Sequence, residues 1–149
     1  MFAPEQAALA ADQIMLARVR ELARQRANFA FETTLAGCSL VPSLRGLIDS
    51  GYEFHLLFLW LPSAELAIDR VASRIRLGGH HVLEGTIRRR YERGLRNFFF
   101  LYRPLATSWQ ILDNSVDDGP NLIAAGSGER VTQILIPRLW QQIQRDFGK

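Results

Sequence analysis

Phe54-His55-Leu56-Leu57-Phe58-Leu59-Trp60-Leu61 (FHLLFLWL), closed by Pro62-Ser63 and followed by AELAIDRVASRIR (Ala64 to Arg76), decides the fold class. The first stretch is apolar except for His55. Its length and aromatic content predict a strand buried on both faces, the kind found in parallel sheets. The second stretch carries Leu66, Ala67, Val71 and Ile75 on one side and stops at Gly78-Gly79, which predicts a helix over 64–76.

Working outward, helices are predicted over residues 6–26 (Leu9, Ile14, Leu16, Val19, Leu22 and Ala23 apolar), Ser43 to Ser50, Glu84 to Tyr102 and Val131 to Phe147. The second of these stops at Gly51. Glu84/Arg88 and Glu92/Arg96 stand at i,i+4, where opposite charges support a helix. Further strands are predicted at Phe29-Ala30-Phe31, Trp109 to Leu112 and Asn121 to Ala125, with a loop from Thr33 to Pro42 and a turn from Val116 to Pro120. Strands alternating with helices indicate one α/β domain over 1–149 with a mostly parallel sheet. No internal repeat or linker interrupts it.

Composition excludes several chemistries. The chain has 149 residues, a net charge of +3 and 48% hydrophobic residues, an ordinary globular balance. Of its 18 basic residues only Lys149 is a lysine; the other seventeen are arginine. An internal Schiff base, a lysine general base and a phosphate-loop lysine are therefore excluded, whereas phosphate clamping by arginine is open. Cys38 is the sole cysteine, so no internal disulfide or CxxC metal site exists, in keeping with a reducing compartment. MFAPEQAALAADQ lacks the basic and apolar regions of a secretory signal, and no apolar run approaches the roughly 20 residues of a membrane span. A cytoplasmic protein without membrane partners is expected.

Chemistry is suggested in three places. Nine of the arginines fall between Arg70 and Arg103. Arg70 and Arg74 share a helix face just before Gly78-Gly79-His80-His81, and Arg88-Arg89-Arg90 follow on the next helix. Two arginine-bearing helices joined by a glycine loop can close over a polyanion; solvated helix faces are the simpler account of the same residues. Glu32, followed by Thr33-Thr34, sits at a predicted strand end. It can hold a hydroxyl-bearing substrate or merely cap a turn. Asn114, within Asp113-Asn114-Ser115 at another strand end, can contact a nucleotide or serve turn chemistry alone. No carboxylate or cysteine stands at ligand spacing from His80-His81, so a lid-loop role is preferred to metal binding. Phe98-Phe99-Phe100 with Tyr102 is read as core packing, not as a nucleic-acid stacking platform.

FAFETTLAG (Phe29 to Gly37), GYEFHLLFLWLPSAELAIDRVASRI (Gly51 to Ile75), GGHHVLEGTIRRRYERGLRNFFFLYRPLA (Gly78 to Ala106) and ILDNS (Ile111 to Ser115) together resemble the zeta-toxin-like P-loop kinases, in particular the bacterial subgroup called predicted ABC-type ATPases. The resemblance runs from about Gln6 to Ala125. It implies a three-layer P-loop kinase fold and phosphoryl transfer from ATP with Mg²⁺ to a hydroxyl of a small acceptor. In characterised zeta toxins that acceptor is UDP-N-acetylglucosamine. It further implies acceptor binding by Glu32 and Thr34, phosphate neutralisation by Arg70 or Arg74, a lid over about 70–96 with Arg76, His80 and Arg90 as contacts, and an antitoxin as a candidate partner. From the residues themselves, Asn114 is the candidate nucleotide contact and no metal site is expected; nucleic acid is not expected as a partner.

Several differences from the family pattern matter. The family's first strand, its GxxxxGK[ST] loop and the aspartate base all precede the stretch matched here, and the loop's lysine has no counterpart. Ala36 stands where zeta toxins carry an arginine, Leu83 where the subgroup has proline, and Asp12 where it has glycine. The sequence thus predicts an N-terminally truncated, inactive kinase whose sheet, lacking a central strand, shows a gap or re-pairs. A non-catalytic protein that binds nucleotide, RNA or a protein partner through its arginine lid is the alternative.

Overall fold

The computed structural model describes residues 4–79 and 81–149, with side chains from Leu9 onward. His80, a predicted lid contact, lies outside the described residues. The elements are α1 (Pro4–Arg24), α2 (Leu40–Asp49), β1 (His55–Trp60), α3 (Ala64–Arg76), α4 (Glu84–Asn97), a π-helical turn (Phe98–Tyr102), a 3-10 turn (Arg103–Leu105), β2 (Ser108–Asp113), β3 (Asn121–Ser127), β4 (Arg130–Ile134) and α5 (Pro137–Phe147).

Local chemistry explains the best-defined boundaries. Ser63 has an extended backbone and its hydroxyl accepts from the Leu66 N–H at 3.2 Å, an N-cap for α3. At the other end Gly78, at φ 97°, lets the Gly79 N–H reach the Arg74 carbonyl (3.0 Å) and its own N–H reach that of Ile75 (3.0 Å). This is the two-bond ending that requires a left-handed residue, and glycine takes that conformation without penalty. Gly51, at φ 99°, ends α2 in the same way. α2 begins three residues before the predicted Ser43, because Pro42 is compatible with its first turn.

The sheet order is β1-β2-β3-β4. β1 and β2 run parallel from His55↔Ser108 to Trp60↔Asp113; β2–β3 and β3–β4 are antiparallel. The mostly parallel sheet of the sequence reading is thus corrected to one parallel ladder and two antiparallel ones. β1 and β2 are direct hydrogen-bonded neighbours, with no strand between them.

Three element predictions also change. Residues 131–134 form β4 instead of the start of a helix. The two-residue loop Gly128-Glu129, with Gly128 at φ 53°, turns the chain back on β3, and α5 begins only at Pro137. Phe29-Ala30-Phe31 is not a strand, since no neighbouring ladder satisfies its backbone; Phe29 instead packs against Phe31 and Tyr52, whose hydroxyl donates to the Ala27 carbonyl. β1 is not buried on both faces: Leu56 and Trp60 are buried, while Leu57 and Leu59 are 67% and 55% exposed. His55, Ser108 and Gln110 share that exposed face, so this part of the sheet carries helices on one side only and is two-layered there, not three-layered.

The covered face is aromatic. Phe98 contacts Phe58, Phe99 and Trp109 at centroid distances of 5.1, 5.2 and 5.8 Å, and Trp140 of α5 stacks on Trp109 at 5.6 Å. Phe98, Phe99 and Tyr102 are buried as the core reading expects, but Phe100 is exposed. Trp109 lies directly over Gly126, where a Cβ would stand 2.4 Å from the indole ring. Its Nε1–H donates to the Gly128 carbonyl at 2.8 Å. The Arg103 guanidinium covers the rings of Phe99 and Trp109 at 5.2 and 5.5 Å.

Candidate functional site

The segment Thr33 to Gly37 is held in a bent path by its own hydroxyls and by α4. The Thr33 hydroxyl accepts from the Leu35 N–H (3.2 Å) and that of Thr34 from the Ala36 N–H (3.4 Å). Between them Leu35 adopts φ 55°, a conformation that is strained for a leucine, and its side chain is 3% exposed. The Asn97 side-chain amide donates to the Leu35 carbonyl at 2.7 Å, and the Tyr102 hydroxyl to that of Gly37 at 2.6 Å. Gly94 brings the α4 backbone so close that a Cβ there would stand 2.5 Å from the Thr34 carbonyl oxygen. Burial and these bonds offset the strain at Leu35.

A cavity of about 250 Å³ lies among this segment, the C-terminal half of β1, α3 and α4. Its wall is mainly apolar, from Phe58, Val71, Ile87 and their neighbours; its polar members are Thr34, Arg90 and Tyr91. The Tyr91 hydroxyl donates to the Leu61 carbonyl at 2.9 Å. Burial, reinforced by the negative charges of Asp146 and Glu65, pushes its pKa up to about 12.

That shift carries a pH prediction. An unfolded tyrosine ionises near pH ~10, whereas the folded Tyr91 stays neutral to about 12. Its contribution to stability is complete below the unfolded value and is lost as pH rises through the interval between the two. Base denaturation of Tyr91→Phe should lack this component, and spectrophotometric titration of the wild type should show a late-ionising phenol absent from the variant. An identical alkaline profile for both chains would contradict the burial of the hydroxyl.

The cavity joins two of the residues marked in the sequence, Thr34 and Arg90, but not Glu32, Arg70, Arg74, Arg76 or Asn114. Glu32 is exposed and does not line it. On α3, Val71 faces the cavity, while Arg70 and Arg74 are absent from its wall and, among the described residues, have no carboxylate within ion-pair distance. Arg76 donates to Ser73 on its own helix (3.0 Å), and Arg89 to Thr86 (3.3 Å). The Asn114 backbone N–H donates to the Trp60 carbonyl (2.9 Å), joining the ends of β1 and β2, outside the cavity. Of the arginines expected to neutralise phosphate or to form the lid, Arg90 lines the cavity and Arg70, Arg74 and Arg76 do not. Nor do Glu84/Arg88 and Glu92/Arg96 pair: Arg88 reaches Glu65 on α3. This contact holds the Glu65 carboxyl below the usual carboxylate range and raises Arg88, yet both side chains are exposed and the tie is weak. Sequence reasoning missed Ile87, Tyr91 and Gly94, although their i, i+4, i+7 spacing marks one face of α4.

The donor set limits what this cavity can hold. Its described residues offer one guanidinium, one hydroxyl and one phenol in an apolar wall, and no carboxylate is among them. That suits a planar or apolar group carrying one anionic substituent. It does not suit a triphosphate with Mg²⁺, which needs several cationic donors and hard oxygen ligands. Among the described residues, no three or more His, Cys, Asp and Glu side chains gather in a metal-binding group, and no helix is long and apolar enough to cross a membrane.

Comparison with known proteins adds one partial relative. A protein of Haemophilus influenzae described as uncharacterized is 28% identical over 68 residues, which are 46% of this chain and 49% of that protein. The chain thus spans about half the length of the relative it matches. No family model and no solved structure matches.

Proposed function

We propose that this chain forms the acceptor-binding side of a zeta-toxin-like phosphotransferase, and that its 149 residues bind a small nucleotide-like acceptor without transferring phosphate to it. The observation that carries this reading is the cavity shared by Thr34 and Arg90, residues that reach it from distant parts of the sequence and that the resemblance marks for acceptor and lid. Its apolar wall receives the base or sugar, and Arg90 pairs with a phosphate oxygen. Nucleotide turnover is not expected, because no internal lysine is present to serve a phosphate-binding loop.

Calorimetric titration of UDP-N-acetylglucosamine tests the binding step, with Arg90→Ala expected to weaken it about tenfold, the order of one lost charge-assisted hydrogen bond. Labelled ATP supplied together with the same acceptor should leave the acceptor unphosphorylated. Absence of saturable binding by the wild type, or equal affinity in Arg90→Ala, would sink the acceptor reading. Stoichiometric phosphorylation by the pure chain would instead overturn its non-catalytic part.

A further inference from the structure

A second cavity, of about 550 Å³, lies between the C-terminal half of α1 and α2 and shares no residue with the first. Val19 and Leu47 contribute apolar surface to it, and Arg20, Arg24 and Arg26 all line it. Arg20 and Arg24 are one turn apart on the same helix face. Among the described residues no Asp or Glu lines this groove or stands within ion-pair distance of these three arginines.

The backbone at Arg26 is an independent observation. α1 ends with the Ala27 N–H bonded to the Leu22 carbonyl (3.1 Å) and the Arg26 N–H to that of Ala23 (3.1 Å). This is the ending that α2 and α3 build around Gly51 and Gly78. Here the left-handed position, at φ 55°, is occupied by arginine. A side chain there carries a conformational cost that glycine avoids. Strained residues of this kind gather where a side chain is needed for function. The Arg26 guanidinium donates to the Ser50 carbonyl at 3.1 Å, at the end of α2, which links the two walls of the groove.

From the three arginines that line the groove, the absence of carboxylates among its described lining residues and the arginine at a glycine position, we infer that this groove binds the phosphate of a small phosphorylated metabolite. Arg20 and Arg24 clamp its oxygens through their planar forks. Arg26 closes the end of the groove, Ser43 supplies a hydroxyl, and the apolar surface receives the organic part. This inference is independent of the function proposed for the first cavity.

Inorganic pyrophosphate is the probe. Calorimetry and the arginine side-chain N–H resonances of the ¹⁵N-labelled full chain should report saturable binding. Arg20→Gln/Arg24→Gln should weaken it at least about tenfold, with far-UV circular dichroism unchanged. Arg138→Gln, at an exposed position of α5, should have no effect. Arg26→Gly separates function from scaffolding: it should raise Tm by relieving the backbone while weakening pyrophosphate binding. A lowered Tm with unchanged binding would show that Arg26 serves structure alone and would overturn the inference. So would absence of saturation, or equal loss in Arg138→Gln, the mark of ionic screening. Tighter binding of a single-stranded oligonucleotide than of pyrophosphate, falling steeply with salt, would replace the small phosphate with nucleic acid.

Discussion

Trp109→Ala is expected to lower folding stability by about 4 kcal/mol, within the range for deleting a buried tryptophan. The indole is 1% exposed and touches elements far apart in the chain. It meets Phe98 after α4, stacks on Trp140 of α5, lies over Gly126 of β3 and underlies the Arg103 guanidinium. Truncation opens a cavity in the aromatic layer and leaves the Gly128 carbonyl without its 2.8 Å donor. A domain of this size is stable by about 5–15 kcal/mol, so the variant should unfold at much lower urea, with a nearly unchanged slope. Trp109→Phe should recover more than half of the loss, since a ring remains and only the hydrogen bond and part of the volume are missing. If Trp109→Ala unfolds within 1 kcal/mol of wild type, roughly the size of a surface change, the aromatic layer is not the core.

The second large effect lies at Gly94. Gly94→Ala places a methyl group 2.5 Å from the Thr34 carbonyl oxygen, with backbone on both sides of the clash. Neither partner can move without cost: α4 is a regular helix, and Thr34 precedes the left-handed Leu35. The variant must separate α4 from the Thr33 to Gly37 segment, lengthening the Asn97–Leu35 and Tyr102–Gly37 bonds. A loss of about 2 kcal/mol is expected, typical of overpacking at a tight contact, together with loss of the acceptor binding proposed for the Thr34–Arg90 cavity. Gly85→Ala on the same helix provides the contrast. Nothing lies within 4 Å of a Cβ there, so the better helix propensity of alanine should add about 0.5–1 kcal/mol. Equal stability changes in the two variants, measured by thermal unfolding, would refute the close approach of α4 to Thr34.

These positions show which parts of the fold are legible in the sequence. α3 has the predicted bounds because each end is specified locally, by the Ser63 cap and by Gly78-Gly79. β1 was also found, but its exposed face was not. A continuous apolar run carries no period-2 signal, so it cannot reveal that Leu57 and Leu59 lie uncovered. Val131, Ile134 and Leu135 fit a helical spacing, and β4 hides within it. The contrary signals were Gly128, which permits a hairpin, and Pro137, which disfavours helix in the residue before it. Phe29-Ala30-Phe31 has the composition of a strand, but a strand exists only where another supplies hydrogen bonds, and no local pattern reports that.

The candidate site was partly legible for similar reasons. Spacing placed Arg70 and Arg74 on one face of α3 but could not orient that face, and Val71 is the residue that lines the cavity. Thr34 and Arg90 were identified; that a glycine on α4 brings their segments together is a three-dimensional fact carried by no motif.

The direct pairing of β1 with β2 also bears on the order of folding. β2, β3 and β4 are joined by residues 114–120 and by Gly128-Glu129, so their two ladders close over short loops. The parallel ladder from His55↔Ser108 to Trp60↔Asp113 forms only after the chain has closed over α3, α4 and both short helical turns. Closure entropy grows with the length of the loop, and contacts distant in sequence slow the search for the native state. Capture of β1 by the three-stranded meander is therefore the kinetically demanding event, and the amides of β1 should be the last in the sheet to gain protection in pulse-labelled hydrogen exchange.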